Sequence, residues 1–489
     1  MQGKKDHQEK LFIQFQLSDY VPADNFYRRL KKILNLDFLY QSTSAYYGKE
    51  GQKSIDPVIF MKLMLVGYLE NLDSDRKIIS IARMRMDILY FLGYNPDEAL
   101  PWHSTLSRTR ILYGEEQFIT LFKRVLKLCI DAGLICGKRQ AVDSALVQAN
   151  ASKSNMVERQ VMEDVFVYSR ELDANSEDVP AEKKKKTKDK PKGKDGKKRF
   201  SNQTHYSPSD PDARLTKKPG KPFDLYYKSQ VSVDTASHFI THIQAFAANA
   251  ADNVSLPKVL DHVTENMQEN NIRVKEILAD AGYSSGEALR ALINHGLRGY
   301  IPNPGNYKSS REDFAYDAEN DWYTCQNGIH LTFRGIRLSY KKVSTQKRWY
   351  QSNPRDCKEC PFRDKCIGKT GIKVITDSVD KPLYDQMQQT MDGPKAKKMV
   401  RLRSATVEPV LGSLINYTGM KRINAKGIKQ ANKCMTMAAV AYNLKKLLKY
   451  TSRHIQSNLK SLEITIKTLI NDQLTPMILS AATSLTPQF

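Results

Sequence analysis

Apolar positions recur at helical spacing through the first 135 residues and then change period. Pro57 opens an almost unbroken apolar stretch to Leu69. Ser74 and Asp75 offer an N-cap before Ile78, Ile79 and Ile81, and Ser104 or Thr105 is placed to cap a helix carrying Arg108 and Arg110. Over 115–132, Phe118, Leu121, Phe122, Val125, Leu128 and Cys129 fall on one helical face, and Gly133 ends the segment. This pattern predicts a bundle of short helices. After Gly137 the alternation turns to strands, predicted over 139–147, 225–233 and 238–246. A helix over 255–267 follows, then a strand over 274–279. The next helix is opened by Ser284 and Glu287 in capping-box spacing and closed at Gly296, and a strand is predicted over 299–301.

Three strands, helix, strand, helix, strand is the order of a ribonuclease H-like α/β domain, which then needs one closing helix. Residues 405 onward supply a candidate. Two insertions interrupt this core. Residues 171–221 begin acidic and continue through Lys183, Lys184, Lys185 and Lys186 to Arg199 with proline and glycine interspersed. That composition reads as a flexible, solvated insertion, or on charge alone as a nonspecific DNA-contacting arm. Residues 302–398 hold Tyr-rich, strand-like segments and most of the clustered cysteines. The expected organisation is a helical, DNA-binding domain over 1–135, a first core part over 136–301, an inserted β-rich, Cys-containing subdomain over 302–398, a second core part over 399–450, and a C-terminal tail over 451–489.

Charge narrows the choice of partner. Among 489 residues, 76 Lys and Arg stand against 53 Asp and Glu, for a formal net charge of +23. Nucleic acid is the polyanion that such a surplus fits, with Arg83, Arg85, Arg108 and Arg110 as DNA contacts if those helices include a helix-turn-helix, or as a solvated helix face otherwise. No apolar run is long enough to span a membrane, and the polar first ten residues do not resemble a signal peptide, so no membrane partner and a cytoplasmic location are expected. Seven cysteines, an odd number with three clustered, suit thiols or metal ligands better than a secreted disulfide framework.

Three acids stand where chemistry would need them. Asp143 lies in the apolar setting Ala141-Val142-Asp143-Ser144-Ala145, where an unpartnered carboxylate is costly. Asp280 ends a predicted strand and precedes Ala281-Gly282-Tyr283. Glu408 sits beside Pro409, either in the first turn of a helix capped by Thr406 or inside a helix that begins earlier and is kinked by the proline. Phosphodiester hydrolysis and transfer load charge on the attacking and leaving oxygens, which two Mg²⁺ ions held by converging carboxylates would stabilise.

The segments Val142-Asp143-Ser144 with Ala149-Asn150-Ala151-Ser152, then Ala279-Asp280-Ala281-Gly282-Tyr283-Ser284, and then Ala405-Thr406-Val407-Glu408-Pro409-Val410-Leu411-Gly412 resemble the three catalytic blocks of the DDE transposases of bacterial insertion sequences, in the same order. The likeness extends to 57–110, to Asp210-Pro211-Asp212-Ala213 and to Asn443-Leu444-Lys445-Lys446-Leu447, and so covers most of 17–450. It implies Asp143, Asp280 and Glu408 as catalytic ligands of two Mg²⁺ or Mn²⁺ ions, with Asp143 shared between them. It also implies double-stranded DNA as partner, both the element's inverted repeats and its target, bound by a homodimer on paired ends in a bacterial, nucleoid-associated setting. The chain departs from its relatives after Glu408: they often carry Phe-Gly and then a lysine, where Leu411-Gly412 and Ile415 stand here, so Lys421 or Arg422 is expected to take the phosphate contact. An inactivated relative acting as a DNA-binding regulator, and a nuclease of the same fold that cuts without joining, are the rival functions.

Cys357-Lys358-Glu359-Cys360 followed by Cys366 has the spacing of a zinc knuckle, with Cys325 or His330 open as fourth ligand to a structural Zn²⁺. Lys342, Lys347 and Arg348 interleave with Tyr340, Trp349 and Tyr350, either as a basic-aromatic DNA surface or as strands burying the aromatics.

Overall fold

The computed structural model describes residues 14–48, 50, 54–159, 200–305, 307, 309–338 and 346–451. The Lys-rich run to Arg199, Tyr340, Lys342 and the C-terminal tail beyond 451 lie outside the described residues.

Among the described residues the chain opens with α1 (Leu17–Tyr20), α2 (Phe26–Ile33), α3 (Phe38–Thr43), α4 (Pro57–Leu69), α5 (Asp75–Met84), α6 (Met86–Leu92), α7 (His103–Leu112) and α8 (Glu115–Asp131). Asp56 caps α4 by accepting the N–H groups of Val58 and Ile59, and Pro57 presets its first turn. From Phe60 to Leu69 the helix buries almost every residue, because it is apolar on all sides. Ser74 caps α5 as expected. Neither Ser104 nor Thr105 caps α7, which starts at His103 without a side-chain cap.

The central sheet contains β1 (Arg139–Gln148), β4 (Arg214–Thr216), β5 (Asp224–Asp234), β6 (Ile240–Ala247), β7 (Glu276–Leu278) and β8 (Arg298–Tyr300). Its order is β4-β5-β1-β7-β8, with β6 sharing the edge of β5 occupied by β4. β1 runs antiparallel to β5 and parallel to β7, which is parallel to β8. A small ribbon pairs β2 (Val157–Glu158) with β3 (His205–Tyr206). The 200–221 part of the expected flexible insertion is therefore structured. It carries β3 and β4 and buries Asp210, Ala213 and Leu215, because the two strands give its backbone partners and Leu215 reaches the core.

Helix α9 (Asp252–Gln268) packs on β5 and β6, and α10 (Gly286–Asn294) precedes β8. The 302–398 insertion folds into a five-stranded antiparallel sheet, ordered β13 (Val374–Ser378), β12 (Gln346–Gln351), β11 (His330–Leu338), β10 (Trp322–Cys325), β9 (Phe314–Asp317). Its own core is small: Tyr323, Leu331, Tyr350 and Ile375. Tyr350 is thus buried, while Trp349 lies under the Arg337 guanidinium at 3.4 Å. Two short helices, α11 (Pro354–Lys358) and α12 (Arg363–Cys366), lie between β12 and β13, and α13 (Lys381–Asp392) returns the chain to the central domain.

Then comes α14 (Ala396–Tyr417), which packs against β1, β5, β7 and β8. It begins well before Thr406, so Thr406 is no cap; its hydroxyl donates to the Leu402 carbonyl inside the helix. A further helix, α15, runs over 428–451 among the described residues. It covers the edge strand β6 with amide side chains: Asn443 both accepts from the Ile240 N–H and donates to its carbonyl, and Asn432 accepts from the Ala245 N–H. Those contacts satisfy backbone groups that an exposed edge would leave open. One continuous buried cluster runs from Tyr27 in α2 through the sheet to Leu448 in α15, joining the N-terminal helices to the central domain.

Candidate active site

The site begins with strand register. β1 and β7 pair in parallel with Ala141 opposite Leu278; Asp143 stands two residues further along β1, and Asp280 two residues beyond the end of β7. Adjacent strands lie about 4.8 Å apart, so carrying the register forward sets these carboxylates side by side. Their side chains feel each other: the Asp280 charge contributes to raising the Asp143 pKa, behind burial, which is the main cause. The Ser144 N–H and the Arg403 guanidinium oppose that rise.

Asp143 is held at both oxygens. Oδ1 accepts the Ser144 N–H at 2.7 Å, and Oδ2 accepts from Arg403 Nη1 at 2.7 Å. Asp280 caps the short turn Ala281–Tyr283 by accepting the Gly282 N–H at 2.9 Å. A Cβ at position 282 would sit 3.0 Å from Asp280 Oδ1 and 3.8 Å from Asp252 Oδ2, so glycine keeps this turn open. Glu408 reaches the same place from α14: its Oε1 lies 3.6 Å from Arg403 Nη2, and its side chain is 61% exposed. Asp143 and Glu408 thus meet at Arg403, and Asp280 lies near enough to Asp143 for its charge to be felt there.

The opposite face carries a second polar layer. Asp143 and Ser144 alternate across β1, and Gln230, paired with Ser144, donates to Asp252 at 2.8 Å and to Ser255 at 2.7 Å on α9. The buried Lys228 neutralises Asp252 at 3.1 Å. Tyr283, fully buried behind Asp280, donates to Gln230. Arg403 and Asp252 were not singled out in the sequence. Charged residues are common on helices, and only the fold shows which of them meets a carboxylate.

The donor set suits a divalent ion. Every candidate ligand is a carboxylate oxygen, the type Mg²⁺ prefers, and one cation, the Arg403 guanidinium, already lies between Asp143 and Glu408. Among the described residues no three His, Cys, Asp or Glu side chains form a ready-made metal cage.

The basic residues divide. Arg83 and Arg108 are exposed, and so are Lys421 and Arg422. Lys421 and Arg422 lie beside the end of β1, where Gln148 exchanges backbone hydrogen bonds with the 421–423 segment, and Arg422 donates to Asn150 at 3.2 Å. Arg85 is half-buried between Glu70 and Asp87, 2.7 Å from each. Arg110 is corrected as a DNA contact: it is 3% exposed and paired with Asp75 at 2.5 Å, so its charge is spent inside the helical bundle.

In the inserted subdomain Cys325, Cys360 and Cys366 line one cavity with Phe314 and Phe362. Burial raises the Cys366 thiol pKa, the Lys373 charge opposes that rise, and Cys325, Cys357 and Cys360 add to it; Cys357 itself donates to Ser352 Oγ at 3.1 Å, and the described thiols form no ready-made metal cage. His330 turns elsewhere, stacked on Trp322 and bonded to Thr324. No disulfide joins any of the seven cysteines.

Two protein families match this chain. The family described as a transposase domain (DUF772) matches residues 15–111, and the family described as a transposase DDE domain matches 324–448, which contains Glu408. No curated protein matches. Among solved structures the chain is similar to the piggyBac transposase synaptic complex with hairpin DNA, at 11% identity over 89% of this chain and 84% of that one, with a TM-score of 0.24. It is also similar to the Mos1 transposase paired-end complex with left transposon end, at 11% identity over 56% of this chain and 70% of that one, with a TM-score of 0.17. No described helix is long and apolar enough to cross a membrane.

Proposed function

Because this chain belongs to the DDE transposases of insertion-sequence type, we propose that Asp143, Asp280 and Glu408 are the carboxylates with which it cuts and joins DNA. The observation that carries this reading is that Arg403 bridges Asp143 and Glu408, while Asp280 follows β7, the strand parallel to β1. The sheet order supports a ribonuclease H-like core, with three antiparallel strands at β6, β5 and β1 and parallel strands β7 and β8 added beyond β1.

Divalent ions bound there, Mg²⁺ or Mn²⁺, would neutralise charge on the attacking and leaving oxygens of the phosphodiester. The chain's own residues supply the rest. Asp143 is fixed by the Ser144 N–H and Asp280 by the Gly282 N–H, so these two carboxylates are oriented before substrate arrives, while Glu408 is carried by a helix packed across the sheet. Exposed Arg83, Arg108, Lys421 and Arg422 are the proposed contacts to the DNA backbone, with Arg85 able to join them only by leaving Glu70 and Asp87. The element's inverted repeats and a target duplex are the proposed partners, engaged by a homodimer on paired ends. Residues 302–398 are proposed as an inserted subdomain stapled by a structural Zn²⁺ on Cys325, Cys357, Cys360 and Cys366, a reading supported by the knuckle spacing of Cys357 and Cys360 and by the one cavity that Cys325, Cys360 and Cys366 line.

Purified protein given labelled element ends, a target plasmid and Mg²⁺ tests the function. Joined products support it. Cut but unjoined ends would instead indicate a nuclease, and binding without any cleavage would indicate a regulator.

A further inference from the structure

Among the described residues, Arg403 is the cation paired with both Asp143 and Glu408, and it is held there closely. It sits on α14 five residues before Glu408, with its side chain 13% exposed. Nη1 donates to Asp143 Oδ2 at 2.7 Å, Nη2 donates to Ser404 Oγ at 3.1 Å, and Nη2 faces Glu408 Oε1 at 3.6 Å. The other oxygen of Asp143 is already engaged by the Ser144 N–H. Asp143 therefore has no carboxylate oxygen without a protein donor while Arg403 is in place.

Two cations cannot hold the same side of Oδ2. An ion on Asp143 would share the carboxylate with the guanidinium, whose charge opposes it, and a guanidinium displaced from a buried pair is best held by another anion within the length of its side chain. On a DNA-loaded enzyme that anion is the phosphodiester. A forked, planar guanidinium suits phosphate oxygens as well as it suits carboxylate.

Resting on the reading of Asp143 and Glu408 as metal ligands, we propose that Arg403 is a positioning residue with two places. Without metal it is the resident counter-ion that keeps Asp143 and Glu408 together, and once ions bind it is displaced onto a phosphate of the strand being cut. The same residue thus opposes metal binding and assists cleavage, which an ordinary structural arginine does not do.

The test is Mn²⁺ binding to the full-length protein by calorimetry without DNA, alongside Mn²⁺-dependent cleavage of element ends. Arg403→Gln is expected to bind Mn²⁺ roughly tenfold more tightly, since the lost competitor is one charge-assisted hydrogen bond, and to cleave on the order of 10²-fold more slowly. Arg403→Lys, which keeps charge but not the fork, is expected to fall between wild type and Arg403→Gln in both readouts, and it serves if the glutamine variant does not fold. Mn²⁺ affinity unchanged or weakened in folded variants would overturn the proposal. If wild type and Asp143→Asn bind Mn²⁺ equally, the metal-ligand reading itself fails, a separate result.

Discussion

The carboxylate of Asp212 accepts the backbone N–H of Ile428 at 2.9 Å, and so caps the last described helix from 216 residues upstream. Its neighbour Asp210, fully buried, accepts the Gly427 N–H at 3.0 Å and the Tyr227 hydroxyl at 2.5 Å. The Asp210-Pro211-Asp212 loop thereby ties β5 to the start of α15, and α15 in turn covers the β6 edge.

Asp212→Ala leaves the first turn of α15 without this cap and is expected to cost about 1 kcal/mol, the usual worth of an N-cap. Asp210→Ala strands the buried Tyr227 hydroxyl and the half-buried Gly427 N–H and is expected to cost more, about 2 kcal/mol or above. Urea denaturation of both variants checks the order; equal stability of the two with wild type would refute it.

Asp143→Asn, Asp280→Asn and Glu408→Gln are each expected to lower Mg²⁺-dependent cleavage by on the order of 10³-fold or more, while element-end binding in a gel-shift assay is retained. Full cleavage by any one of them removes that residue from the proposed set.

Two of the proposed acids stand out in the chain because their local settings are unusual. Asp143 interrupts an apolar strand, and Asp280 precedes a glycine turn. Predicted and observed strands β1, β5 and β6 agree within one or two residues, because their alternation is strong. The Glu408 helix was placed with two possible starts, and the structure gives the earlier one. Pro409 is accommodated well inside it, which local preference alone does not settle. Arg403 was not legible at all: its importance comes from Asp143, 260 residues away. Arg110 was misread for the same reason, since Asp75 neutralises it across the bundle and no local pattern marks that pairing.

Arg108 and Arg110 should therefore behave oppositely when truncated. Arg108→Ala is expected to leave stability within about 0.5 kcal/mol and to weaken binding of any duplex, reducing the salt slope by about one. Arg110→Ala leaves Asp75 as an unpaired, largely buried charge and is expected to cost about 3–5 kcal/mol of stability. Thermal denaturation and salt-dependent binding separate the two; a stable Arg110→Ala with weakened binding would reverse the assignment.

His242 gives the fold an acid limit. It is buried between β6 and α9, stacked on His262 at 5.0 Å, and its pKa is lowered to about 3, by burial first and by His262 next. The unfolded chain takes up this proton near pH 6.5 while the folded one refuses it, so stability present above that pH is lost as pH falls toward 3. The slope attributable to His242 is about 1.4 kcal/mol per pH unit within that window. His242→Phe is expected to flatten the dependence of urea stability on pH between 6 and 4, and an unaltered slope would sink this account.

Zinc is the last point that measurement can decide. Cys325 comes from the end of β10, and Cys357, Cys360 and Cys366 from the α11–α12 turn. The sheet they adjoin has a small core of its own, so its independent stability is limited and a metal staple would add what the apolar contacts lack. Elemental analysis of purified protein is expected to give near one zinc per chain. Cys360→Ser should lose the metal and expose 302–398 to proteolysis at a protease dose that leaves the wild-type segment intact. Metal-free protein with an equally resistant segment would mean that the four thiols pack without an ion.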